Sequence, residues 1–155
     1  MQMFFVKPNQ IAHGRVTVSG PDVNHIRNVL RMKPGETVRI SDEKEFCGQC
    51  RIKTLFPDRI ELTVETEGRS TELPAELILY QGLPKGDKME LVIQKAVELG
   101  VSEVVPVITR RTIVKLDKKK EEAKTARWNA VAESAAKQSG RGVIPVVRGV
   151  LSFKE

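Results

Sequence analysis

Cysteine and histidine are scarce in this chain of 155 residues: Cys47 and Cys50, His13 and His25, and no others. The spacing of Cys47-Gly48-Gln49-Cys50 resembles the C-x-x-C of redox and metal sites. No second cysteine pair completes a metal set, and no helix follows to lower a thiol pKa, because Arg51 to Phe56 reads as strand. The expectation is two reduced structural cysteines, a reducing compartment and no metal. Long apolar runs are also missing. None approaches the ~20 residues that span a bilayer, and Met1 to Pro8 lacks a basic stretch followed by an apolar core. A cytoplasmic protein with no membrane partner is expected. The nucleotide loop G-x-x-x-x-G-K-[ST] does not occur: Gly82-Leu-Pro-Lys-Gly86-Asp87-Lys88 puts a carboxylate where a phosphate would sit. Neither a Ser/His/Asp set, an isolated carboxylate pair nor an internal repeat is discernible.

What is present fits a water-soluble globular chain, with 40% hydrophobic and 30% charged residues. Lysine and arginine outnumber acids by 26 to 20, a net charge of +6 that favours an anionic partner without establishing one. The excess is uneven. Residues 1–72 hold 11 basic and 10 acidic side chains, and residues 73–155 hold 15 and 10.

The first seventy residues alternate like strands. Phe4/Val6, Val16/Val18, Val38/Ile40 and Ile60/Leu62/Val64 put apolar side chains on one face, with Gly14, Gly20, Pro34-Gly35 and Pro57-Asp58 as turns. Short strands at this spacing predict a small barrel or sandwich. One helix interrupts them, opening at Pro21 and carrying a stripe of Val23, Ile26, Val29 and Leu30. Its other faces present His25, Arg27 and Arg31, and Arg15, Lys33 and Arg39 extend that cationic surface if their strands face the same way.

The polar stretch Thr66 to Thr71 separates this part from a different rhythm, and the boundary is placed near residue 73. Beyond it the pattern predicts strand 77–80, helix 88–99, strand 103–108, a helix over about 121–139 and strand 143–148, with another helix beginning near Leu151. Strands alternating with helices imply βαβ units and a mainly parallel sheet. Asp87 and Glu90 have the spacing of a capping box, Gly100 stops the first helix, and Met89, Val92, Ile93, Ala96, Val97 and Leu99 form its buried face. The second helix is read from Ala126, Trp128, Ala132, Ala135, Ala136 and Ser139, with Gly140 after it.

Several cations in this part have two readings. Lys85 and Lys88 touch an RNA backbone or belong to a structural turn. Arg110 and Arg111 follow a strand directly, at the carboxyl end where ligands of open α/β sheets collect, and meet phosphate or form a salt bridge. The cluster from Lys115 to Glu122 reads as a solvated loop and helix start. Trp128 is core or a base-stacking platform, and Gln138 and Arg141 serve a site or cap a helix.

Taken together, His25 to Arg31 (H-I-R-N-V-L-R), Gln81 to Val101 (Q-G-L-P-K-G-D-K-M-E-L-V-I-Q-K-A-V-E-L-G-V), Thr109 to Leu116 (T-R-R-T-I-V-K-L) and the segment from Arg127-Trp128 to A-A-K-Q-S-G-Arg141 resemble the ribosomal RNA small-subunit methyltransferase E family. The resemblance covers the whole chain in order. It implies methylation of uridine N3 in 16S rRNA with S-adenosylmethionine. It also implies an α/β fold with an all-β N-terminal domain: a PUA-like RNA-binding β-barrel over 1–72, then the first half of a SPOUT methyltransferase domain over 73–155. That family works as a homodimer on 16S rRNA or the small ribosomal subunit, and its fold contains a deep trefoil knot.

Carried onto this sequence, the resemblance makes His25, Arg27, Arg31, Lys85, Lys88, Arg110 and Arg141 candidate RNA contacts. Arg111 is the catalytic candidate, because N3–H must be removed or the uridine anion stabilised by a nearby cation. The family's glycine-rich cofactor turns, G-P-E-G-G-like and L-G-x-R-I-L-R-like, do not occur here. Cofactor contacts are therefore expected beyond residue 155, and this chain is expected to be a truncated portion, without its knot, that binds S-adenosylmethionine poorly. The competing expectations are a non-catalytic RNA-binding module and a structural βαβ partner with no RNA role.

Overall fold

The computed structural model describes residues 1–68, 72–112 and 117–153. Residues 69–71 of the polar stretch, 113–116 of the Thr109 motif and hence the first two residues of the Lys115 cluster lie outside the described residues. The chain divides into two compact units, Met1–Thr71 and Glu72–Glu155.

In the first unit β1 (Met3–Phe5), β2 (Ile11–Ala12), β3 (Arg15–Ser19), β4 (Thr37–Ser41), β5 (Cys47–Leu55) and β6 (Arg59–Glu67) form one sheet in the order β1-β4-β5-β6-β3-β2. β1 runs parallel to β4, and the remaining neighbours are antiparallel. The sheet curls as an open half-barrel instead of closing, because among the described residues β1 and β2, at the two ends of the path, do not pair with each other. Register shifts between β5 and β6, at Gln49/Cys50 and Ile52/Thr54, bend the strands. The predicted alternation fills the interior: Phe4, Val6, Val16, Val18, Val38, Ile40, Ile60 and Leu62 are buried, and Val64 packs partly buried against them.

The helix of this unit departs from its expected stripe. Residues Pro21–Asn24, α1, are α-helical, but His25–Val29 adopts the wider π form, in which the Leu30 amide donates to His25 O at 2.9 Å. A wider turn rotates later side chains. Val23 and Ile26 are buried and Leu30 is partly so, whereas Val29 is 62% exposed.

Both cysteines are free and buried, and Cys50 belongs to the core of this unit. Burial, followed by the charge of Glu65 and the neighbouring Cys47, pushes the Cys50 thiol from 9.0 up to about 12. A raised folded value means that its contribution to stability is complete below the unfolded pKa and is lost as pH rises towards 12. Iodoacetamide at mildly alkaline pH should leave Cys50 unmodified in the native protein and alkylate it once urea unfolds the chain. Peptide mass mapping checks this, and labelling at the rate of a free thiol would contradict a core position.

The second unit contains β7 (Ile78–Gly82), α2 (Lys88–Glu98), β8 (Glu103–Ile108), α3 (Lys118–Ser139), β9 (Val146–Val147) and β10 (Leu151–Ser152). All of its pairings are parallel: β7 lies on one side of β8, and β9 and β10 lie along the other. The chain ends of this region differ from expectation. Where strand 143–148 and a following helix were predicted, β9 and β10 form one interrupted strand that advances one residue further than β8 between its two pairings. Pro106 accounts for the interruption. Val107 O accepts from Leu83 N on the β7 side, so by alternation Pro106, which lacks an N–H, faces the β9/β10 side, where the ladder lapses after Arg148 N donates to Val104 O at 2.9 Å.

Packing of the helices follows their apolar periods. Met89, Ile93 and Val97 of α2 and Trp128, Ala132, Ala135 and Ala136 of α3 are buried, and the two helices pack together. Val92 and Ala96 are half-buried, Leu99 is 78% exposed, and Ala126 and Ser139 are exposed. α3 starts earlier than predicted because the Asp117 carboxylate caps it, accepting from Lys120 N at 2.9 Å. The expected Asp87/Glu90 capping box does not form. Asp87 makes no side-chain cap, since its backbone lies near the bridge region (φ −89°, ψ 9°), and Glu90 instead takes the Arg127 guanidinium at 2.6 Å. Gly100 and Gly140 end their helices with φ of 99° and 72°.

Candidate nucleic-acid interface

Each unit carries its own cationic surface. In the first, the π-turn presents His25, whose ring meets Phe4 edge-on at 6.1 Å between centroids while the residue remains exposed. Arg27, half-buried, lines a groove of about 220 Å³ with Gly20, Asn24, Asn28 and Asp58. Arg31 follows the turn with φ 52°, a left-handed conformation that is uncommon outside glycine. Among the described residues neither Arg27 nor Arg31 has an acidic partner, unlike Arg51, which meets Glu65 at 2.6 Å. A guanidinium without an acidic partner among the described residues can donate to a phosphate.

In the second unit the cations follow the topology of the parallel sheet. Lys85 and Lys88 lie exposed between the end of β7 and the first turn of α2. Arg110 and Arg111 sit in the turn after β8, which is tied by Thr109 N donating to Thr112 Oγ1 at 2.8 Å and Thr112 N donating to Thr109 O at 3.0 Å. Both loops are therefore at the carboxyl ends of adjacent strands, where open α/β sheets place their ligands. Both arginines are exposed and unpaired among the described residues. Lys118 and Lys119, at the start of α3, belong to the chain segment that follows the same turn.

Arg141 is the exception. Only 7% exposed, it donates to both carboxylate oxygens of Glu72 and to the carbonyls of Val97 and Val101, while Gly142 N donates to Glu72 Oε1 at 2.9 Å. With four of its five N–H groups used in this way and the side chain buried, the residue is an internal clamp and the RNA contact expected of it is withdrawn. Trp128 is likewise internal, 3% exposed, with Lys124 Nζ 6.0 Å from its ring centroid. Position alone could not reveal the clamp, since Glu72 and Arg141 lie 69 residues apart.

Further along the same sheet edge, Tyr80, Gly82, Val107, Thr109, Leu151, Ser152 and Phe153 line a groove of about 350 Å³. Its aromatic and aliphatic walls suit a flat ring, and Thr109 and Ser152 bring hydroxyls. Among the described residues no cation or carboxylate lines it, so these residues alone do not match the charged amino-acid end and sulfonium of S-adenosylmethionine. No His/Cys/Asp/Glu cluster that could hold a metal exists among the described residues.

Comparison with known proteins decides the family. Residues 71–155 match the RNA methyltransferase domain model and residues 18–65 the RNA methyltransferase PUA domain model. All of the chain aligns with the ribosomal RNA small subunit methyltransferase E of Bacillus subtilis at 36% identity. The chain belongs to the ribosomal RNA small subunit methyltransferase E family. It spans 62% of the Bacillus protein's length. Among solved structures, the methyltransferase E of Neisseria gonorrhoeae bound to S-adenosyl methionine superposes with a TM-score of 0.82 at 34% identity over 99% of this chain and 64% of that one. A Legionella pneumophila methyltransferase solved with its cofactor SAM gives 0.79 at 29%, over 97% of this chain and 62% of that one. The architecture is thus that of this methyltransferase family: a PUA-like open barrel followed by part of a SPOUT-like α/β region.

Proposed function

We propose that this chain carries the RNA-gripping unit and the first part of the catalytic unit of an S-adenosylmethionine-dependent methyltransferase acting on N3 of a uridine in 16S rRNA. Residues 1–72 take the RNA-binding role and residues 73–155 the methyltransferase role. The observation that carries the reading is the match of both units, in order, to the RNA methyltransferase PUA and catalytic models. Side chains without acidic partners among the described residues, on or beside the π-turn and at the carboxyl ends of β7 and β8, supply donors an RNA backbone needs: His25, Arg27 and Arg31 in the first unit, Lys85, Lys88 and Arg110 in the second. Arg111 stands beside the same strand end as the cation that stabilises the deprotonated uridine. The full-length enzyme is a cytoplasmic homodimer on the small ribosomal subunit.

By itself this chain is expected to bind RNA without transferring methyl groups, since it spans 62% of the Bacillus relative's length and the described lining of the groove brings no charged side chain to the charged end of the cofactor. Calorimetry with S-adenosylmethionine, and transfer of labelled methyl to unmethylated small subunits, are the tests, with the Bacillus relative as the positive control. No transfer and no cofactor heat are expected. Tight cofactor binding by the 155-residue chain would refute the claim that its pocket is incomplete. RNA binding that persists without any transfer, even when the missing portion of the relative is supplied, would favour the non-catalytic module.

A further inference from the structure

The outward face of β3 carries a polar track that none of the contacts above uses in full. Arg15, Thr17 and Ser19 alternate with buried Val16 and Val18, so all three project away from the core. With Asn9, Gln10 and His13 they line a groove of about 540 Å³. The groove around Arg27 begins at the next residue, Gly20. Ser19 and Gly20 being consecutive, the two grooves are lined by adjoining residues of one chain segment, and the strand portion alone covers roughly 13 Å at the usual ~3.3 Å per residue.

The track is built rather than incidental. The Gln10 side chain is fixed at three points: its amide donates to Thr17 O at 2.7 Å and to Ser19 Oγ at 3.1 Å, and its carbonyl accepts from Lys7 N at 2.7 Å. β2 pairs only with Arg15 and Val16, so the rest of this edge of β3 is left uncovered by a strand. At the other end the Asn28 amide donates to Asn24 Oδ1 at 2.6 Å, which orients both groups. Arg15 and Arg27 lack acidic partners among the described residues. Among the described lining residues the one carboxylate, Asp58, lies 3.5 Å from the Arg59 guanidinium, which also meets Glu61 at 3.4 Å.

Two bare guanidinium groups separated by hydroxyls and oriented amides match the alternation of phosphates and unpaired base edges in a single strand. A duplex, whose base edges are paired, would leave the amides unused. Resting on the RNA reading given above, we propose that this track holds a single-stranded RNA segment, with one phosphate at Arg15, another at Arg27, and Thr17, Ser19 and Asn28 meeting sugar and base groups between them. Phe, Tyr and Trp are absent from the lining. Affinity there comes from charge and hydrogen bonds more than from stacking, which makes it strongly salt-dependent.

Fluorescence anisotropy of a labelled oligouridylate, titrated with the whole chain at rising salt, tests this. Arg15→Ala and Arg27→Ala should each flatten the slope of log affinity against log salt by about 0.7, the single-strand value per phosphate, and the double variant by about twice that. Arg15→Lys and Arg27→Lys should keep the parent slope, as should Arg51→Ala, whose guanidinium is already paired. Circular dichroism checks that the variants fold. A steep parent slope that survives both alanine substitutions overturns the track while leaving the RNA reading intact. A parent chain that binds neither this probe nor a 16S rRNA fragment overturns the RNA reading itself. A duplex competing as well as the single strand overturns the assignment of strandedness.

Discussion

Replacing Arg141 with methionine should destabilise the second unit by about 3–5 kcal/mol, the usual cost of removing one partner from a buried ion pair. The methionine retains much of the side chain's apolar volume. What is lost is the donor set that satisfies Glu72, whose side chain is 20% exposed, and the carbonyls of Val97 and Val101. Those carbonyls stand at the end of α2 and just beyond it, so the guanidinium joins the start of the unit to the end of one helix and the turn after the other. The double variant Glu72→Leu/Arg141→Met should be less destabilised than the single one, because no lone carboxylate is left behind. Urea titration reads both effects as a drop in midpoint at constant slope. A single variant within about 1 kcal/mol of the parent would return Arg141 to the list of surface cations.

The second large effect concerns Trp128. Truncation to alanine should cost about 3–5 kcal/mol, as for other buried large aromatics. At about 4–8 °C per kcal/mol for a unit of this size, thermal melting would fall by more than ~10 °C. Leu83 and Met89, both buried, adjoin the ring around a space of about 120 Å³, so its deletion would open a cavity and not a surface dent. Phenylalanine should recover most of the loss. Neither variant that remains folded should alter the salt dependence of RNA affinity, and an altered dependence at unchanged stability would make Trp128 a stacking platform after all.

Features that depend on one strand or one helix were legible from the residue pattern. Period-two alternation located Phe4, Val16, Val38, Ile60 and Leu62 in the core, and period 3.6 located Met89, Ile93 and Val97. Features set by what another segment offers were not. Glu90 has capping-box spacing, yet Arg127 on α3 captures it, a competition invisible within a window of four residues. Val29 falls out of its stripe because the π-turn changes the angular step, and an apolar pattern assumes that step is constant. The end of the second unit was misread as helix because Leu151 and Ser152 are placed by β8, not by their own propensity. Among the site residues, Arg15 is visible in the sequence as a cation without a known facing, whereas Arg141 reads as a site residue or a helix cap, and its partner Glu72 lies 69 residues away.

The break that Pro106 imposes on the ladder leaves β10 joined to β8 through Leu151 and Ser152, with the Phe153 amide donating to Ile108 O at 3.1 Å. Such a short, separately anchored segment opens at a free energy far below that of global unfolding, so its amides exchange with solvent ahead of those in β7 and β8. Leu151, Ser152 and Phe153 form one wall of the 350 Å³ groove. The groove is thus walled on one side by an unbroken ladder, Tyr80 to Val107, and on the other by a two-residue pairing, so hydrogen exchange is expected to be slower on the first wall than on the second.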